Sequence, residues 1–179
     1  HLRPGDRVAV EDPGFTGVLH LLASMGLVVV PGRIDDFGPI PSELERVLAE
    51  GVAAFILTPR AQNPTGAALD TERVAALQPL LKAHPEVLLI EDDHAGVVSG
   101  VPALTLCGDP PGHWAIVRSV SKAYGPDLRL AVMVSDAVTF ARVEGRQMIG
   151  IRWVSFILQR TVVALWKDKA VSKHLRASA

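Results

Sequence analysis

Three short apolar runs in this chain each break off into a polar residue, and those polar residues recur at almost one interval. Residues 53–57 lead to Asn63, residues 87–90 to Asp92 and residues 114–117 to Lys122, with separations of 29 and 30 residues. A strand-helix-strand unit is roughly 30 residues long, so each unit returns one polar side chain to the same edge of a sheet. The runs are continuously apolar rather than alternating, as strands are when helices cover both faces of a parallel sheet. The fold class predicted is α/β, a three-layer α/β/α sandwich with a mostly parallel sheet. Open sheets of this kind bind ligands outside the carboxyl ends of their strands. Taken singly, Lys122 would be an ordinary solvated charge. An amide, a carboxylate and an amine converging at one edge instead mark a ligand site.

The remaining elements fit the same plan. Residues 7–12 alternate and are rich in valine, which suits a first strand, and Pro13-Gly14 turns the chain. Phe15, Val18, Leu19 and Leu22 have helical spacing, and Gly26 is a natural stop. Residues 27–30 form the next strand, closed by Pro31-Gly32. The paired Asp35 and Asp36 read as a turn rather than a cation site. Ser42 and Glu45 have capping-box spacing for a helix over 43–50 that ends at Gly51. Asp70 or Thr71 caps a helix through Lys82. Residues 95–112 have little periodicity, and a stretch of that length is expected to contribute to a site. From Lys122 to Arg129 there is no room for a crossover helix, so residues 130–134 return as the one antiparallel strand. Asp136 caps a helix to Met148. Residues 151–166 read as a second, amphipathic helix whose Trp153, Phe156, Ile157, Arg160, Val163 and Ala164 share one face, for the core or for subunit packing.

Composition narrows the function. With 18 basic and 19 acidic residues the net charge is -1, so this stretch lacks the basic footprint of a nucleic-acid binder. Cys107 is the single cysteine, which excludes an internal disulfide framework and metal-ligand spacing and fits a reducing, cytoplasmic setting. The most apolar stretch, 18–30, is interrupted by His20, Ser24 and Gly26 and is too short to span a bilayer, so no membrane association is expected. The chain lacks an initial methionine and ends in a helix-like sequence, and it reads as part of a longer protein.

The polar residues suit one chemistry well. A lysine held at a strand end beside a carboxylate points to Schiff-base formation with a carbonyl cofactor, and a cationic neighbour such as Arg129 favours the neutral, nucleophilic amine. A carboxylate at the preceding strand end, Asp92 or Asp93, is what a protonated pyridine nitrogen requires. Asn63 can bind a phenolate oxygen, while Ser119, Ser121 and Arg129 offer hydroxyl and bidentate donors for a phosphate. Pyridoxal 5'-phosphate satisfies all of these demands.

Asn63-Pro64-Thr65-Gly66, Glu91-Asp92-Asp93-His94 and Ser119-Val120-Ser121-Lys122 with Arg129 resemble the large domain of the fold type I, aspartate-aminotransferase-like enzymes that depend on pyridoxal phosphate. Glu11-Asp12-Pro13-Gly14-Phe15 and Gly125-Pro126-Asp127-Leu128-Arg129-Leu130 are closer to the MocR branch of the GntR regulators. There such a domain is joined to a winged helix-turn-helix. The resemblance covers nearly the whole chain. It implies Lys122 as the Schiff-base lysine forming the internal aldimine, Asp92 as the partner of the ring nitrogen, Asn63 as a ligand of the ring hydroxyl, and Ser119 and Arg129 as phosphate ligands. His94 stands where the regulators usually have a tyrosine, and a histidine can make the same bond to the cofactor oxygen. It further implies a homodimer, an amino acid or vitamin B6 ligand, and DNA contact only through an N-terminal domain outside this chain. On this reading residues 1–168 are the central part of the cofactor-binding domain, and 169–179 begin a connection to a small domain.

Other readings fit less of the sequence. Ser119 and Lys122 have the spacing of a serine β-lactamase nucleophile motif, but its companion Lys-Thr-Gly is missing. A phosphoacceptor receiver would need an aspartate-bearing strand between Asp93 and Lys122. A dinucleotide fold would need Gly-x-Gly-x-x-Gly, and a nucleotide triphosphatase a Gly-Lys-Ser/Thr loop; neither occurs. Between an effector-sensing regulator domain and a working amino acid aminotransferase, the Glu-Asp-Pro-Gly and Glu-Asp-Asp signatures favour the regulator. A structural α/β domain without a working site is the remote alternative, and the chain alone is expected to be inactive as an enzyme.

Overall fold

The computed structural model describes residues 1–108 and 112–178. Its strands are β1 (Arg7–Asp12), β2 (Val28–Asp35), β3 (Gly38–Pro39), β4 (Ala54–Leu57), β5 (Leu88–Asp93), β6 (Trp114–Ser119) and β7 (Ala131–Ser135). They form a seven-stranded sheet in the order β3-β2-β1-β4-β5-β6-β7. Strands β2, β1, β4, β5 and β6 run parallel. As expected, β7 returns antiparallel to β6; the two-residue β3 adds a short antiparallel pairing with β2. The helices are α1 (Thr16–Ser24), α2 (Pro41–Ala49), α3 (Thr71–Lys82), the single turn α4 (Ser121–Tyr124), α5 (Ala137–Ile149), α6 (Phe156–Lys167) and α7 (Lys169–Ser178).

Alternation along the central strands sorts the core into two layers. Val8, Val10, Ala54 and Leu88 pack with Leu22, Val18 and Leu19 of α1. Ala9, Phe55, Leu57 and Leu89 pack with Leu44, Val47 and Leu48 of α2 and Leu77 and Leu81 of α3. Because successive strand side chains point to opposite faces, a strand covered on both sides must be apolar throughout, which is the pattern seen in the sequence. The winding direction reverses at β1, which has β2 on one side and β4 on the other. This reversal leaves a crevice at the carboxyl ends of β1 and β4.

Several boundaries depart from the sequence expectations. Strand β2 does not stop at Pro31-Gly32 but continues to Asp35, with Pro31 aligned to Val10 of β1. Proline is tolerated there because β3 pairs only with Ile34 and Asp35, so at Pro31 the outer side of β2 is an open edge that needs no N–H. The capping box at Ser42 does not form: α2 starts at Pro41, with Ile40 at the cap and no side-chain cap bond. Proline at the first helical position presets φ, and Glu43 instead binds Arg33 and Arg46. Asp70 and Asp136 do cap α3 and α5. Asp35 closes the β2–β3 turn and pairs with Arg73.

The second amphipathic helix begins at Phe156, capped by Ser155, rather than at Ile151. Gly150 ends α5 and Arg152 adopts a φ of 62°, which breaks the helix between them. Of the two uses expected for that face, core or subunit packing, the core is excluded: Trp153, Phe156 and Ile157 are exposed at 61%, 66% and 79%, and Val162 is the residue of α6 that is buried.

Candidate ligand site

At the reversal between β1 and β4 lies a cavity of about 220 Å³. Val10 and Glu11 reach it from the end of β1, and Ile56 and Thr58 from the end of β4. Asn63 comes from the turn that follows, Asp92 and His94 from the end of β5, and Lys122 from α4 beyond β6. Phe15, Val18 and Leu19 of the α1 region supply an apolar wall. Four of the residues singled out in the sequence (Asn63, Asp92, His94 and Lys122) therefore meet at one site.

The adjacent acids at the end of β5 divide their roles. Asp93 is 1% exposed; Arg60 donates to its two oxygens at 2.9 and 2.8 Å, Arg118 at 2.7 Å and the backbone N–H of Gly96 at 3.1 Å. Burial alone would raise this carboxyl, but the two guanidinium groups outweigh it and hold it below the usual range. Strand register places Arg118 directly opposite Asp93. Asp92 faces the cavity and has no hydrogen bond among the described residues; burial pushes it up, His94 partly offsets this, and the charge of Asp93 adds to the rise. Of the two aspartates, only Asp92 is free to meet a ligand.

The loop after β5 serves the scaffold rather than the cavity. Glu91, 1% exposed, accepts from the hydroxyl of Thr105 at 2.8 Å and from the backbone N–H of Leu106 and Cys107 at 2.6 and 3.3 Å. Among the described residues, none between Ala95 and Gly108 lines the cavity. The expected contribution of residues 95–112 is thus indirect, through these anchors, and residues 109–111 lie outside the described residues. Burial raises the Cys107 thiol, which marks it as an inert core residue.

Ser119, Ser121 and Arg129 stand apart from the cavity lining. The Ser121 hydroxyl donates to the carbonyl of Leu128 at 2.9 Å, and Ser119 Oγ accepts from the Ser121 N–H at 3.2 Å. Arg129 is exposed in the loop before β7.

This architecture has known counterparts. The family model described as aminotransferase class I and II matches residues 1–179. The chain belongs to that family. It is 46% identical over 175 residues to the vitamin B6 salvage pathway transcriptional repressor PtsJ of Salmonella typhimurium, a match covering 98% of this chain and 41% of the repressor. It is 33% identical over 165 residues to the HTH-type transcriptional regulator TauR of Rhodobacter capsulatus, covering 90% of this chain and 33% of the regulator. The chain thus spans about two fifths or less of the curated relatives named here. The solved structure of Pyrococcus horikoshii kynurenine aminotransferase, in complex with PMP, superposes with a TM-score of 0.88 at 24% identity, covering 99% of this chain and 46% of that one. At that identity the likeness shows the fold, and the relatives place the chain beside the regulator branch that the sequence resembles.

Within the aminotransferase framework, Glu11, Gly14 and Phe15, which the sequence offered as part of a motif but not as site residues, line the cavity together with Thr58. One signal was present: Glu11 ends the first strand as Asp92 ends β5. Gly14 is required where it stands, because a Cβ there would lie 2.4 Å from the Glu11 carbonyl oxygen. The donor set fits a pyridine ring bearing a hydroxyl and an aldehyde, with a carboxylate, an amide, an imidazole and an amine around one cavity. The phosphate end of such a ligand has no donors assembled in the cavity among the described residues.

Proposed function

We propose that the cavity binds pyridoxal 5'-phosphate and that the chain is the effector-sensing and dimerising domain of a transcriptional regulator. The observation that carries the first half is the meeting of Asn63, Asp92, His94 and Lys122 at the winding reversal. The second half rests on the two relatives named as a repressor and a regulator. When bound, the cofactor supplies an aldehyde for amine exchange and an electron-withdrawing ring. Lys122 would provide the amine for the aldehyde. Asp92 would keep a proton on the ring nitrogen, while Asn63 and His94 would hydrogen-bond the ring oxygen. Ser119, Ser121 and Arg129 would take the phosphate, and for this the Ser121 hydroxyl must leave the Leu128 carbonyl. The exposed Trp153, Phe156 and Ile157 suit packing against a second copy, because large apolar groups clustered on a surface usually mark an interface.

An absorbance titration with pyridoxal 5'-phosphate, followed by borohydride reduction and peptide mapping, tests this reading. The expected result is a visible band that Lys122→Ala removes, with the reduced adduct on Lys122. Equal labelling of several lysines, or no band, would sink it. Sedimentation of the loaded protein should give twice the chain mass. Steady conversion of amino acids to oxo acids would instead favour the aminotransferase reading.

A further inference from the structure

Glu11 is buried at 6% exposure and has one unpartnered side-chain oxygen, Oε1. Its other oxygen, Oε2, accepts from the backbone N–H of Thr58 at 3.1 Å and from Nε2 of Gln62 at 3.3 Å. Gln62, itself 2% exposed, also donates to the Pro13 carbonyl at 2.9 Å. Its Oε1 accepts from the N–H and hydroxyl of Thr65 at 3.1 and 2.7 Å. The same turn is closed by Gly66 N–H donating to the Gln62 carbonyl and Ala67 N–H to Thr65 Oγ1. Glu11, Gln62 and Thr65 therefore form a continuous polar chain from the end of β1 to the turn that carries Asn63. Asn63 is one of the polar residues lining the cavity.

We propose that Glu11 is a positioning residue: through Gln62 it fixes the turn that presents Asn63 to the cavity, and ionisation of its carboxyl loosens that turn. An anion in this place has two accepted hydrogen bonds, an unpartnered oxygen and no cation paired with it among the described residues. Opening the turn hydrates the anion, so the closed turn favours the protonated acid. Burial raises the Glu11 carboxyl to about 7, and the bonds from Thr58 and Gln62 only partly offset this, with Asp92 adding to the rise. The charged or titratable groups around it are Asp92 and His94 from the end of β5, Lys122 from α4, and the exposed Asp12 next in its own strand. The hold on the turn stands on the hydrogen bonds, its pH dependence on the burial of a carboxyl with an unpartnered oxygen, and the part concerning the cofactor on the function proposed above.

Amide hydrogen exchange at Thr58, Thr65, Gly66 and Ala67 in the ligand-free protein reads the turn directly, as protection factors at pH 6 and pH 8. Protection should fall about tenfold between the two in the unmodified protein, because the open turn ionises at the ordinary carboxylate value. Glu11→Gln should remove that pH dependence and keep the protection. Glu11→Ala should lose protection at both pH values while the N–H groups of Val138 and Thr139, capped by Asp136, stay unchanged. Unchanged protection in Glu11→Ala overturns the positioning role, and equal pH dependence in Glu11→Gln overturns the ionisation step. In a parallel titration with pyridoxal 5'-phosphate at pH 6, Glu11→Ala should bind at least tenfold more weakly, with Glu11→Gln near the unmodified protein. A loosened turn with unchanged affinity overturns the link to the ligand. The expected exchange pattern in a protein that takes up no pyridoxal 5'-phosphate supports the hold on the turn and sinks the cofactor reading instead.

Discussion

Asp92 and Asp93 are adjacent in sequence and on the same strand, yet they live in opposite regimes. Asp93 has both oxygens engaged by Arg60, Arg118 and the Gly96 N–H. Asp92, one residue away, borders the cavity and accepts nothing from the described residues. The acids Glu91 and Glu11 repeat the contrast. Glu91 is met by three donors that tie down the loop 105–107, whereas Glu11 beside the cavity has an oxygen with no partner. Satisfied carboxylates here hold the frame, and the under-satisfied ones border the cavity.

The contrast is broken most severely from the scaffold side. Replacing Asp93 by Ala leaves Arg60 buried without its partner, and losing one member of a buried pair costs ~3–5 kcal/mol. Urea denaturation should show that loss as a lower midpoint at unchanged slope. A change under about 1 kcal/mol would mean the pair contributes no more than a surface ion pair does, and the division between frame and site would fail.

Glu11 comes next, with the opposite sign. Its folded-state value of about 7 lies above the ordinary 4.5, so between those values the folded protein holds a proton that the unfolded chain releases. Its contribution to stability is therefore full below about pH 4.5 and is lost as the pH rises through 7, by ~3 kcal/mol at most. Glu11→Gln should flatten the difference in unfolding free energy between pH 5 and pH 8. If the unmodified protein shows no such fall relative to the variant, Glu11 is solvated and does not belong with the under-satisfied groups.

Much of this division was legible in the sequence. The Asn63–Asp92 interval matches a strand-helix unit, with α3 between β4 and β5, whereas the Asp92–Lys122 interval is spanned by a loop with one short 3-10 turn at Gly96–Ser99, so equal spacing there did not mean an equal unit. The choice between Asp92 and Asp93 was not legible from chemistry alone, because it depends on Arg60 and Arg118 arriving from other strand ends. Glu11 is legible as part of a motif but not as a cavity residue, because its place there depends on Gln62, 51 residues away in sequence. The start of the helix expected over 151–166 is not legible in the spacing, because amphipathic spacing continues through Ile151 and Trp153 while Gly150 and the left-handed Arg152 interrupt the backbone. Pro31 misled for a related reason: whether proline ends a strand depends on whether that side has a neighbour.

The smallest expected effect on stability is also the sharpest test. Asp92→Asn keeps the shape, removes a carboxylate whose burial is unfavourable and breaks no hydrogen bond among the described residues. Its unfolding free energy at pH 7 should stay within ~1 kcal/mol of the unmodified protein, since the substitution leaves no hydrogen-bond partner behind. Binding should respond in the other direction. An amide cannot neutralise a protonated ring nitrogen, so affinity for pyridoxal 5'-phosphate should fall tenfold or more, which corresponds to about 1.4 kcal/mol. A large stability loss with intact binding would place Asp92 with Asp93 among the groups that hold the frame. A neutral stability change with weakened binding separates two neighbouring aspartates by function, as their hydrogen-bond partners already separate them.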